Sequence, residues 1–362
     1  MKPNCKSKFQ LGLMVFLLPF MVACLPGVGS KVEESSSTEG QITPQGLSPE
    51  DFQKAFRRAS LILLKRSPDL EQLARISSKE DYDRAIRDLV DSPEFISTMR
   101  QYHQEFFDMS GQTMGINYNE PANLAAYLIR ENRDFRDILR ATYCVNDELE
   151  TGDCSSFSRE PEAQATYAAG AITTQGFLHR WVSSFNFERT RETLKAFACH
   201  DYPDGGDPGM TGAEVETGVH TWECSNCVPS CYSCHSTMNP RATLFYDFDR
   251  NGQFNRQPAN NVATQTDTET RSERTDLLID GVAPRFNGRV MANLRQYAVE
   301  FSETPKFASC LARRLTLFSI GGGLNARVPD QFSFAEDLLQ ESNFRVRDFY
   351  LGLLTRDEYV RH

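Results

Sequence analysis

A mainly α fold is predicted for this chain, and three observations predict it. Apolar residues recur at helical spacing through most of the sequence, Ser48-Pro49-Glu50-Asp51 is a strong helix start, and long apolar–polar alternation of the strand kind is missing. With 40% hydrophobic, 24% charged and 11% aromatic residues in a length of 362, the chain can bury a real core, which excludes wholesale disorder and rod-like folds. The first helix follows from Phe52, Phe56, Leu61 and Leu64, taken as one apolar stripe. A second is expected from Ser78 to Val90 and a third from Pro93 to Phe107. Further helices are expected at Pro121–Ile129, Phe135–Tyr143, Phe187–Ala198, Val290–Phe301, Pro305–Ile320, Gln331–Leu339 and Phe344–Leu354. Asp201–Glu214, rich in Gly, Pro and Asp, and the polar tract Gln257–Asp276 read as loops.

The N-terminus bears on compartment. Lys2, Lys6 and Lys8 precede an apolar run from Leu11 to Val22, and Ala23 places a small residue before Cys24. That run is too short to span a bilayer, which takes about 18–20 apolar residues, so residues 1–23 read as a secretory signal. Met21-Val22-Ala23-Cys24 resembles the bacterial lipobox, with Met21 in place of the usual Leu. The resemblance implies that Cys24 becomes the lipidated first residue, palmitate included, and that the protein is held at the cell envelope by a lipid anchor. With no Asp after Cys24, it further implies the outer membrane. Residues 24–46, rich in Ser, Glu, Gly and Thr, read as a flexible tether. The net charge is −10, and loss of three lysines with residues 1–23 takes it to −13. Such a chain, with no basic stripe, is not expected to bind nucleic acid.

An oxidising exterior makes disulfides and covalent haem the expected fates of the remaining cysteines. Cys231-Tyr232-Ser233-Cys234-His235 is a complete C-x-x-C-H. Two thiols at that spacing reach the two haem vinyl groups, and the next residue sets an imidazole under the iron. Ten cysteines and six histidines in 362 residues would produce roughly 0.005 such matches by chance. Cys224 and Cys227 crowd the motif, so the four thiols could instead form two disulfides or hold a metal. Three residues between the two pairs is too few for a zinc ribbon, and the spacing misses the bacterial ferredoxin pattern. Cys224-Ser225-Asn226-Cys227 has no following His and reads as a local disulfide. Cys144 and Cys154 bracket a short acidic loop and would pair readily, while Cys199 with Cys310 would be a long-range bridge; spacing alone leaves connectivity open.

Cys234-His235-Ser236-Thr237-Met238-Asn239-Pro240, followed by Phe245-Tyr246-Asp247-Phe248-Asp249-Arg250-Asn251-Gly252, resembles the C-x-x-C-H…F-D-x-x-G signature of the planctomycete-type cytochrome c domain proteins, a family also found in proteobacteria. Phe135–Tyr143 with Val145-Asn146, Gly170–Leu178, Arg191–Cys199, Phe286-Asn287-Gly288 and Phe307–Gly321 are similar to further segments of that family in the same order. The pair Cys224/Cys227 and Trp222 are outside its pattern. Membership implies an exported, mostly helical haem protein: an N-terminal helical domain, 47–185, then a cytochrome-c-like helical domain with long loops, 186–362. Haem c would be bound by Cys231 and Cys234, with His235 as proximal ligand to the metal.

A second axial ligand would decide between electron carrier and open-site enzyme. Met291, 56 residues beyond His235, is the main candidate, with core packing as its competing explanation; His103, His200 and His220 are others. Asp247 to Gly252 also opens like an EF-hand loop, but the twelfth position is Pro258 rather than a carboxylate, and the family turn explains Asp249 and Gly252 without calcium. The expected function is electron transfer in the envelope to or from an exported partner protein. The alternatives are a haem-free structural lipoprotein stapled by disulfides, and a haem enzyme with an open distal face.

Overall fold

Ser48 ends an extended segment and opens the first helix, α1 (Pro49–Leu63), through reciprocal bonds: its Oγ accepts the Asp51 N–H at 3.3 Å, and the Asp51 carboxylate accepts the Ser48 N–H at 2.9 Å. Pro49 gives up no helical hydrogen bond at the first position. The same Ser/Thr-Pro opening starts α4 (Pro93–Phe107) from Ser92, and Thr304 starts a later helix before Pro305 in the same way. Between α1 and α4 lie α2 (Leu70–Ala74) and α3 (Lys79–Val90). The computed structural model describes residues 46–183, 186–200, 241–255, 285–286, 289–323 and 326–362. The signal, the tether, Cys24, both expected loops, His220, Cys224, Cys227, Cys231, Cys234 and His235 lie outside them.

The chain continues through a two-residue hairpin, β1 (Gln112–Thr113) with β2 (Ile116–Asn117), into α5 (Glu120–Arg130) and the single turn α6 (Asp137–Arg140). A second hairpin pairs β3 (Cys144–Val145) with β4 (Thr151–Gly152). Then come α7 (Gln164–Tyr167), α8 (Gln175–Arg180) and α9 (Phe187–Ala198). A third hairpin, β5 (Arg285–Phe286) with β6 (Arg289–Val290), precedes α10 (Leu294–Ser302) and α11 (Pro305–Ser319). The C-terminal helices are α12 (Ala335–Glu341), α13 (Val346–Leu354) and α14 (Asp357–Arg361). The fold is mainly α, as expected from the sequence.

Three sequence expectations need correction. Leu61 is 47% exposed, because nine residues from Phe52 turn it to the opposite side; the buried stripe of α1 is Phe52, Ala55, Phe56, Ala59, Ser60 and Leu63. The segment Phe135–Tyr143 is helical only over α6, since Ala141 turns extended (φ −56°, ψ 137°) and feeds β3. The helix expected from Val290 starts at Leu294, where the Asn293 side chain accepts the Gln296 N–H, and Val290 pairs in β6 instead.

Helices on either side of position 185/186, expected as two domains, share one core within the unit Leu47–His362. The elements α1 with α11 and α14, α3 with α13, α4 with α9, and α6 with α10 are packed against one another. Long-range polar contacts cross the same line: Tyr82 Oη donates to the Leu354 carbonyl at 2.7 Å, and Arg140 and Arg136 both pair with Glu303. Gly170 shows how closely the first half is packed. Its φ of +52° favours glycine, and a Cβ there would lie 2.1 Å from the Ile138 carbonyl oxygen.

Candidate functional site

The segment that follows the C-x-x-C-H motif is described from Arg241 onward, and it is tied deeply into the fold. Arg241 is buried; its Nε reaches the Tyr297 hydroxyl at 3.2 Å and its guanidinium lies over the Phe286 and Tyr297 rings. The turn Asp247–Gly252 is organised by Asp249, whose Oδ1 accepts the backbone N–H groups of Asn251 at 2.8 Å and Gln253 at 2.9 Å. Its Oδ2 pairs with Arg159 at 3.1 Å. These contacts give the carboxylate a structural role. Gly252 sits at φ +70° with the position of a Cβ 2.8 Å from the Gln175 carbonyl oxygen, so the turn presses directly on the start of α8.

Arg189 clamps that turn, and the sequence reading did not single it out. The side chain is 0% exposed. Nε donates to the Leu178 carbonyl at 2.8 Å, Nη1 to Asn186 Oδ1 at 2.8 Å and the Phe248 carbonyl at 3.2 Å, and Nη2 to the Asp249 carbonyl at 2.8 Å. Burial pulls the guanidinium down to about 9, partly opposed by the Asp249 charge, so it stays protonated at neutral pH. The signal available in the sequence was positional: Arg189 falls on the same side of α9 as the buried Thr193, Ala196 and Phe197.

Of the candidate axial ligands, Met291 is 1% exposed and lies in the hydrophobic core. His200 directly follows the C-cap of α9. His103 stands out. On α4, Phe95, Met99, His103 and Phe107 form a buried row four residues apart. His103 Nδ1 lies 2.7 Å from the Met99 carbonyl oxygen, which can only accept, so Nδ1 carries the proton and Nε2 keeps its lone pair. Among the described residues Nε2 meets no hydrogen-bond partner, and the ring lines a cavity.

That cavity lies where α4, α6, α9 and α11 meet. An inner chamber of about 20 Å³ is walled by Phe107, Phe135, Ile138, Phe197, Phe307 and Leu311 around His103. A wider chamber of about 160 Å³ shares Phe106, Phe107, Ala196 and Arg314 with it and is lined further by Trp181, Glu192, Lys195 and Arg313. Arg314 stands at the junction. Its guanidinium lies 4.1 Å from the Phe106 ring centroid, and its Nε points to Cys199 Sγ at 3.2 Å and Cys310 Sγ at 3.4 Å. Burial pulls Arg314 down to about 10, and among the described residues no carboxylate lies within ion-pair distance of it.

Burial also pulls the His103 imidazole down to about 4. The folded value lies below the unfolded one of about 6.5, so the unfolded chain takes up the proton first, and the stability contributed by neutral His103 is complete above pH 6.5 and lost as pH falls towards 4. The buried carboxyl of Glu120 is shifted up and acts in the opposite sense, so the measurement must be differential. Urea unfolding of wild type and His103→Phe at pH 7 and pH 4.5 is expected to show wild type losing on the order of 2–3 kcal/mol relative to the variant. An equal pH dependence in both proteins would sink this reading.

Cys144 is joined to Cys154, and Cys199 to Cys310, closing separations of 10 and 111 residues. These are the pairings expected above. Among the described residues no group of three or more His, Cys, Asp or Glu is placed to hold a metal, and no helix is long and apolar enough to cross a membrane. Comparison with protein-family models, curated proteins and solved structures finds no match.

Proposed function

We propose that this is an exported, lipid-anchored protein of the bacterial envelope that carries one covalent c-type haem and passes electrons to or from an exported partner. The observation that carries the reading is the complete C-x-x-C-H at Cys231–His235 in a chain whose four described cysteines are paired as two disulfides. Paired cysteines are the signature of an oxidising compartment, where haem attachment to thiols takes place. The four remain outside the motif, so neither bridge draws on Cys231 or Cys234.

The donor set fits the group. Cys231 and Cys234 would hold the haem through thioether bonds, His235 would supply the proximal nitrogen, and Cys24 would carry the lipid. The haem itself would supply a one-electron couple. The protein's contribution is to anchor the segment after the motif: Arg241 against Tyr297 and Phe286, and the Asp247–Gly252 turn against α8 and Arg189. Met291 would be the candidate for a further iron ligand in this reading.

The deciding experiment is a pyridine haemochrome spectrum with intact mass, on protein made in a host with c-type maturation, and on Cys231→Ala in parallel. One covalent haem in wild type and none in the variant is expected. Colourless wild-type protein with every thiol oxidised would overturn the haem reading and leave an envelope scaffold stapled by disulfides. If haem is present, carbon monoxide that leaves the reduced spectrum unchanged supports a carrier, and a shifted Soret band points to an open-site enzyme.

A further inference from the structure

We propose that the two chambers between α4, α9 and α11 form a binding site for a small aromatic acid bearing a hydrogen-bond donor opposite its carboxylate, of the hydroxybenzoate class. Three observations define this ligand. The first is the acceptor at the closed end: His103 is 4% exposed, its Nδ1–H is committed to the Met99 carbonyl, and its Nε2 lone pair meets no donor. An acceptor turned to a cavity in this way favours an occupant that brings an O–H or N–H.

The second observation is charge at the junction of the chambers, where Arg314 lines both, and in the wider one, where Arg313 joins it. Among the described residues, no carboxylate lies within ion-pair distance of Arg314 or Arg313; Arg313 donates to the Ala326 carbonyl, and Lys195 pairs with Glu192 at 3.2 Å. Among the described residues of the outer chamber, Arg313, Arg314 and Lys195 outnumber Glu192, and a monoanion placed there would supply Arg314 with a counter-charge. A cation would be repelled, and an uncharged apolar occupant would leave the guanidinium without one.

The third is shape and wall chemistry. Phe106 and Phe107 border both chambers, and Phe197 and Phe307 line the inner one, so the walls suit a flat ring. The inner chamber, about 20 Å³, admits one polar group and no more. A single water molecule could occupy it and donate to Nε2, and the test separates that case from a ligand.

Isothermal titration calorimetry on the mature full-length protein would use 4-hydroxybenzoate, benzoate and methyl 4-hydroxybenzoate. The expected result is one saturable site for 4-hydroxybenzoate, with benzoate and the methyl ester each weaker by about tenfold or more, because one loses the donor and the other the charge. His103→Phe, which keeps a buried ring and removes the acceptor, is expected to make 4-hydroxybenzoate and benzoate bind equally. Arg313→Gln, at the outer rim, is expected to weaken both acids several-fold and leave the ester unchanged.

No saturable binding of 4-hydroxybenzoate by wild type would overturn the proposal. So would equal affinity for 4-hydroxybenzoate and benzoate in wild type, the result expected if a water already serves Nε2. The wild-type ligand series decides the matter even if His103→Phe does not fold. The titration reads binding alone, so its failure is distinct from a failure of the haem reading.

Discussion

Replacing Cys199 and Cys310 together by serine is expected to lower the unfolding free energy by about 4–5 kcal/mol, the larger effect of the two disulfides. The bridge joins the end of α9 to the middle of α11 across a separation of 111 residues, so it removes a large amount of chain freedom from the unfolded state. Cys144–Cys154 closes a separation of 10, and its removal is expected to cost no more than about 3 kcal/mol on the same reasoning. A local effect adds to the long-range one, because the Arg314 guanidinium is held against both sulfurs and loses that contact in the double serine variant. Guanidinium unfolding of wild type and the two double variants under oxidising conditions checks the order. If the short bridge proves the costlier to lose, the loop-entropy account fails.

Arg189→Met is the second large effect. The change removes the donor from the buried Leu178 and Phe248 carbonyls, each of which then carries a desolvation penalty of about 1–3 kcal/mol. The Asp249 carbonyl is spared, since the Gly252 N–H still donates to it at 3.1 Å. The expected loss is about 3 kcal/mol or more, with the turn Asp247–Gly252 loosened from α8 and α9. Arg189→Lys keeps the charge but cannot reach all four acceptors with one ammonium, so it should fall between wild type and Arg189→Met. Thermal unfolding ranks the three. A drop below about 1 kcal/mol for Arg189→Met would show that water replaces the guanidinium, and the clamp would have no energetic meaning.

Much of the local structure was legible because its causes are local. Ser48 with Pro49 and Asp51, or Thr304 with Pro305, sets a helix start within four residues, and the bounds of Pro93–Phe107 and Phe187–Ala198 followed from periodicity alone. Phe135–Tyr143 was read too long because nothing within it announces the extended Ala141, which is set by the β3–β4 hairpin it enters. Leu61 is apolar but lies opposite the buried stripe of α1, so its apolar character alone does not place it in the core. The C-x-x-C-H motif is visible as a pattern, and in the described turn Asp249 accepts from the Asn251 and Gln253 N–H groups.

What the sequence determined by itself was the helical class, the helix starts, the cysteines available for bridging and the C-x-x-C-H spacing, all written in neighbouring residues or in the chemistry of a single side chain. What only the tertiary structure decided was which polar groups are stranded. Arg189 is identifiable as a clamp only when residues 178, 186, 248 and 249 come within reach of one guanidinium. His103 becomes a bare acceptor only when α4, α6, α9 and α11 enclose it beside Arg314. The physical reason is that burial is a property of the packed chain: a side chain's hydrogen-bonding capacity is encoded where it stands, but whether water can satisfy it depends on residues tens to hundreds of positions away.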